Sequence, residues 1–248
     1  LEAREMLAFL AAFLTAALGS IPQQDVFQRV TAAKDADTAV RGALLGAAIY
    51  FCMAFVPIYL AYSALLIDPQ MVGPLLKGED NESQLILPYL IAKHTPLFAQ
   101  VLFFGALLSA IMSSASGALL APTTLFTENV LRPFAPRMSD RQFLLTMRLV
   151  LVIFGLGVMV FALASEASIY QMVQNAYKVT LVSAFAPLLL GLYWKGATTF
   201  GALVAIVAGL ASWLLMEALA PEALVPPQLV GLAISTLGMV FGSRLYRT

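Results

Sequence analysis

The chain has 248 residues, of which 60% are hydrophobic and only 11% charged, and its mean hydropathy is +0.87. Water-soluble domains carry about 25% charged residues, so this composition points to a protein that lives in a membrane. Fourteen Lys and Arg balance fourteen Asp and Glu, which argues against a nucleic-acid partner, and a single Cys52 with a single His94 excludes a disulfide framework and a soft-metal cluster.

Opening on Leu1 with no leader pattern, the chain reads as a fragment of something longer. Crossing about 30 Å of hydrocarbon takes roughly 20 helical residues, and seven apolar stretches are long enough. The first, 5–27, is interrupted by Gly19-Ser20-Ile21-Pro22-Gln23-Gln24-Asp25. Proline removes a backbone donor there and glycine loosens the turn. Broken backbone at membrane depth is tolerated only where it is buried in protein or lines a cavity, so its polar groups are candidates for ligand binding. A simple proline kink, or the end of the helix at the interface, is the competing reading.

The polar segment 28–41 leads to a second span, 42–67, and then to a long loop, 68–96. Within that loop Leu85–Ile91 is too short to span and, with Pro88 inside it, reads as an amphipathic piece lying on the surface. Asn81-Glu82-Ser83 fits a glycosylation acceptor pattern. The third span, 97–127, carries Ser109-Ala110-Ile111-Met112-Ser113-Ser114-Ala115-Ser116-Gly117. One helical turn brings the carbonyl of Ala110 and the hydroxyls of Ser113 and Ser114 toward one point. Such oxygens suit a hard cation like sodium rather than zinc. The alternative is that these small residues let helices pack closely.

Spans 143–164, 169–194, 198–219 and 226–243 follow. The fifth span, 169–194, holds a polar stripe of Gln171, Gln174, Asn175 and Lys178 at spacings of three and four, which puts them on one face. Lys178 lies roughly 13 Å past the outer start of that span, too deep to snorkel easily. A charge at that depth usually faces a cavity or pairs with an acid. No span shows an acidic group at matching depth, so Lys178 is expected to face the cavity and bind solute; the competing reading, a structural ion pair, would need a partner outside the chain.

Loop charge orients the spans, because Lys and Arg collect on the cytoplasmic side. Arg29, Lys34 and Arg41, then Arg132, Arg137, Arg141 and Arg148, then Lys195, then Arg244 and Arg247, alternate with segments bearing Glu2 and Glu5, Asp68, Glu79, Asp80 and Glu82, Glu166, and Glu217 and Glu222. The N-terminus is therefore expected outside and the C-terminus in the cytoplasm.

Three separated motifs are familiar. Ile21-Pro22-Gln23-Gln24-Asp25-Val26-Phe27-Gln28-Arg29 with Ala32-Ala33-Lys34-Asp35, then Ala110-Ile111-Met112-Ser113-Ser114-Ala115 with Thr127-Glu128-Asn129, then Gly191-Leu192-Tyr193-Trp194-Lys195, resemble the sodium:solute symporter family. The resemblance implies an all-α membrane protein of two inverted five-helix repeats, with solute and sodium held near the midplane between broken helices. It makes residues 1–194 the second repeat, with the outer loop 68–96, and residues 195–248 two peripheral transmembrane helices. The first repeat is absent from the chain. By the same resemblance Ala110, Ser113 and Ser114 supply part of a sodium site, and Gly19, Ser20, Pro22, Gln23 and Gln174 face the solute.

Sugar-carrying members have aromatic residues near Gly19 and Ser20 that this sequence lacks. A cationic choline beside Lys178 is electrostatically awkward, and Lys178 biases the solute toward carboxylates. The expected function is sodium-coupled symport of a small polar solute across the cytoplasmic membrane, with sodium as coupling ion, no organic cofactor and no enzymatic constellation. The alternative is the membrane sensory module of a transporter-like signalling protein.

Overall fold

A computed structural model describes residues 3–77, 80–135, 137–221 and 223–245. Glu2, Glu79, Glu222 and Arg247, named above for their charges, lie outside them, as do the side chains of Asp25, Gln28, Asp80 and Asn81. Every regular element among the described residues is helical. In hydrocarbon no water is at hand for an open sheet edge, and a helix pairs its own backbone groups.

Six helices are long and apolar enough to cross a bilayer: Ala36–Ile67, Leu97–Phe134, Asp140–Ala164, Ile169–Tyr193, Thr199–Leu219 and Pro227–Leu245. They coincide with six of the seven expected spans, and the chain is an all-α integral membrane protein. The first expected span is shorter than the sequence suggests. Its helix, α1, runs Ala3–Gly19 and stops at the break.

The chain divides into two compact units. One joins Leu1–Phe27 to Ile169–Thr248. It holds α1, the start of α2 (Gln24–Thr31), α10 (Ile169–Thr180), a π-helical turn at Leu181–Phe185, α11 (Ala186–Tyr193), α12 (Thr199–Leu219) and α13 (Pro227–Leu245). The π turn has a local cause. Pro187 cannot donate to the carbonyl of Ser183, so the helical ladder widens just before it, while the Ser183 hydroxyl donates to Val179 O at 2.5 Å.

Helices α12 and α13 pack through small residues that let the backbones approach. A Cβ on Gly201 would lie 2.0 Å from Ser243 Oγ, and one on Gly242 2.9 Å from the Cα of Gly201. A Cβ on Gly209 would lie 2.1 Å from Val182 O, which seats α12 directly on the π turn. Lipid tails are as apolar as leucine, so close van der Waals contact of this kind, rather than hydrophobic burial, holds the helices together.

The other unit is Gln28–Ser168. Its helices are the rest of α2, α3 (Ala36–Met53), α4 (Phe55–Ile67), α5 (Pro69–Lys77), α6 (Asp80–Ser83), α7 (Ile86–His94), α8 (Leu97–Phe126) and α9 (Asp140–Ala164). Asp35 caps α3 by accepting from Thr38 N at 2.7 Å, and a capping box of Ser139 and Gln142 starts α9. Pro57 leaves the carbonyl of Met53 without its helical donor, and α3 and α4 are parted at Ala54.

The stretch Leu85–Ile91, expected to lie on the surface, forms most of α7 and packs inward through Leu90 against Ala64 and Val72. One buried carboxylate fastens it. Asp68, following α4, accepts from Lys93 Nζ at 2.5 Å and His94 Nε2 at 2.9 Å on one oxygen, and from Met71 N at 3.1 Å on the other. Lys93, then His94, hold its carboxyl down at about 2.

Candidate functional site

The break in α1 is where the sequence places it. The chain turns at Ser20, Ile21 and Pro22 and resumes as helix at Gln24. Pro22 has no N–H to offer the carbonyl of Leu18, which accepts from Ile21 N at 3.2 Å instead, in the tighter three-residue pattern.

The interruption orphans the carbonyl of Gly19, and the partner that takes it comes from another helix. Thr180 Oγ1, the last residue of α10, donates to Gly19 O at 2.5 Å. Gln23 folds back over the same point. Its Nε2 donates to Thr180 Oγ1 at 3.3 Å and to Gly19 O at 3.4 Å. Glycine at position 19 is what allows this approach, since a Cβ there would lie 2.3 Å from Tyr177 O and 3.0 Å from its carbonyl carbon. Two interrupted helices therefore meet at one hydrogen-bonded point, α1 at its break and α10 immediately before its π turn.

Of the residues expected to face the solute, Gly19, Pro22 and Gln23 belong to this junction. Ser20 Oγ turns back to Ala17 O at 3.4 Å, and Gln174 Nε2 donates to Tyr170 Oη at 3.1 Å along its own helix. Thr180 is the residue the sequence reading missed. The signal was present, because Gln171, Gln174, Tyr177, Thr180 and Ser183 carry polar atoms at three-residue steps, beyond the point where the stripe had been ended at Lys178.

Lys178 corrects an expectation. Its partner lies in the chain: Nζ is 3.7 Å from Glu217 Oε1 on α12, while Glu217 Oε2 accepts from Trp213 Nε1 at 3.0 Å. Residue position along each helix separates the two groups in depth, but the reach of the lysine and glutamate side chains closes the gap. The pair sits in a recess of about 250 Å³ that Arg4, Ala8 and Gln228 also line. The Lys178 charge is thus offset, and the electrostatic objection to a cationic solute, like the bias toward carboxylates, loses its premise.

In the other unit, Ala110, Ser113 and Ser114 lie on α8 and are exposed. Serine and threonine hydroxyls inside helices commonly bond back to the carbonyl four residues earlier. Ser116 does so at 2.8 Å, Thr123 at 2.6 Å, and Thr124 and Thr127 at 2.8 Å each. Ser113 and Ser114 make no hydrogen bond of this kind among the described residues. Their hydroxyls are left available as oxygen donors, which is the chemistry a small hard cation takes; three oxygens are about half of such a shell.

The model of a family described as "Sodium:solute symporter family" matches residues 2–209. High affinity choline transporter 1 of Homo sapiens is 28% identical over 219 residues, covering 84% of this chain and 36% of that protein. The osmoregulated proline transporter OpuE of Bacillus subtilis (strain 168) is 33% identical over 129 residues, 48% of this chain and 26% of that protein. A sodium/mannose cotransporter of Bos taurus is 26% identical over 202 residues, 76% of this chain and 34% of that protein. The chain spans between a quarter and just over a third of the length of these relatives.

Proposed function

Because the chain belongs to the sodium:solute symporter family, we propose that it is the second-repeat part of a carrier coupling sodium influx to uptake of a small polar solute. The observation that carries this reading is the junction of two interrupted helices. In carriers built from inverted repeats, interrupted helices of this kind hold solute and coupling ion near the bilayer midplane.

In this reading residues 1–194 form the second repeat and 195–248 the peripheral helices, and a first repeat supplies what this chain lacks. The solute lies at the break, against Gly19, Ser20, Pro22 and Gln23, with Gln174 farther along α10. Sodium, the co-transported ion, takes the carbonyl of Ala110 and the hydroxyls of Ser113 and Ser114, with its remaining ligands from the first repeat. Lys178 enters as the partner of Glu217 and leaves the solute's charge open. The carrier sits in the cytoplasmic membrane with its C-terminus inside, as the loop arginines favour.

Energetically, one sodium ion moving down 100 mV contributes about 2.3 kcal/mol, which supports roughly fiftyfold solute accumulation. The test is uptake by proteoliposomes of the complete natural protein, with labelled choline, proline and mannose as first solutes. An inward sodium gradient should drive accumulation of one of them, and an equal potassium gradient should not. Uptake indifferent to the cation would overturn sodium coupling.

A further inference from the structure

We propose that Thr180 is the positioning residue of the solute site, clasping the broken end of α1 and aiming the Gln23 side chain so that its carbonyl oxygen meets a hydrogen-bond donor on the solute. The inference rests on the reading of the break as the place where solute binds.

A threonine hydroxyl has one proton to give. Thr123, Thr124, Thr127 and Thr236 give theirs to the carbonyl four residues back at 2.6–2.8 Å. Thr180 departs from that habit. Its own i−4 carbonyl, Ala176 O, is 3.3 Å away and Tyr177 O is 3.1 Å, whereas Gly19 O, 161 residues distant in sequence, is at 2.5 Å. The proton is therefore spent across the helix–helix contact, on the carbonyl that the break exposes.

The rest follows from donor and acceptor counting. With its proton on Gly19 O, the Thr180 oxygen accepts from Gln23 Nε2. A backbone carbonyl can only accept, so the contact of Gln23 with Gly19 O fixes which end of the amide carries hydrogens. Both amide contacts use the nitrogen, and Oε1 remains as the acceptor held away from the clasp. At 3.3 and 3.4 Å these two bonds are long and easily exchanged, while the 2.5 Å bond is short. Thr180 thus anchors the backbone firmly and biases the amide lightly. What the site offers is an acceptor, and it suits a solute bearing a hydroxyl or ammonium hydrogen better than a bare carboxylate.

Thr180→Val keeps the shape and removes the hydroxyl, and Thr180→Ser keeps the hydroxyl. Thr180→Ala replaces the valine variant should that one fail to insert. In the complete natural protein in lipid nanodiscs, amide hydrogen exchange across residues 19–24 needs no transport. It should rise about tenfold in Thr180→Val and stay within about twofold of wild type in Thr180→Ser. In transport, Thr180→Val should raise the KM of the carried solute about tenfold at unchanged sodium half-saturation, with the serine variant restoring it.

Wild-type exchange in Thr180→Val refutes the clasp. Raised exchange with a wild-type KM, or with a fall in kcat alone, refutes the positioning role and leaves a structural one. A wild-type protein that carries no solute, alongside the exchange result, sinks the transport reading instead and leaves the clasp standing. A carried solute that has no hydroxyl or N–H hydrogen contradicts the proposed acceptor role of Gln23.

Discussion

Gly19→Ala is the smallest change that attacks the junction directly. The new methyl would stand 2.3 Å from Tyr177 O and 3.2 Å from its Cβ, where ordinary contact begins at 3.4 Å. The obstruction is backbone, not a side-chain tip that can swing aside, so α1 and α10 must part by about 1 Å, an overpacking cost of about 1–3 kcal/mol. The same displacement lengthens the 2.5 Å bond from Thr180 to Gly19 O toward 3.5 Å, past useful hydrogen-bonding distance, for about 1 kcal/mol more. The total expected loss is about 2–4 kcal/mol. Equilibrium unfolding in mixed micelles reads the stability, and hydrogen exchange of residues 19–24 reads the site of damage. A variant of wild-type stability with wild-type protection there would refute the close approach on which the whole junction depends.

Three further outcomes follow from the same structure. Gly209→Ala puts a methyl 2.1 Å from Val182 O and 2.7 Å from Ser235 Cβ, so it should destabilise the α12–α13 seam by about 1–3 kcal/mol in unfolding titrations; a neutral result would mean the seam is looser than drawn. The Asp68 latch should be insensitive to mild acid. A carboxyl lowered to about 2 from its usual 3.8 stabilises the fold fully above the usual value and loses that contribution only as pH falls through about 2. Protection of residues 86–94 should therefore not fall between pH 7 and pH 5, whereas Asp68→Asn should reduce it at both. Lys178→Met should leave solute KM unchanged, because the lysine is paired with Glu217. A tenfold KM increase confined to carboxylate solutes would restore Lys178 to the binding site.

Much of this architecture is legible one segment at a time. Apolar length located six spans, four of them to within three residues at each end and two with one end six or seven residues longer than expected, because a helix in hydrocarbon must cover a fixed thickness. Pro22 and Gly19 announced the break in α1, since each removes a specific requirement of a continuous helix. Family motifs such as Ala110-Ile111-Met112-Ser113-Ser114 identified the family before any coordinates. What stayed hidden was pairing between distant segments. Thr180 looks like any helical threonine until Gly19 O stands beside it, and nothing local says that its proton goes there rather than to Ala176 O. Lys178 and Glu217 failed for the same reason. Their depths were counted along separate helices, and side-chain reach was left out.

We propose that Ser113 and Ser114 on α8 serve sodium, and the sodium dependence of uptake tests this most directly. The complete natural protein and its Ser113→Ala/Ser114→Ala double variant would be compared in proteoliposomes at matched protein density and saturating solute. Removing two of about six oxygen ligands should raise the sodium concentration for half-maximal uptake by on the order of tenfold or more, with protein abundance and thermal stability little changed. An unchanged sodium half-saturation in the double variant would contradict the account.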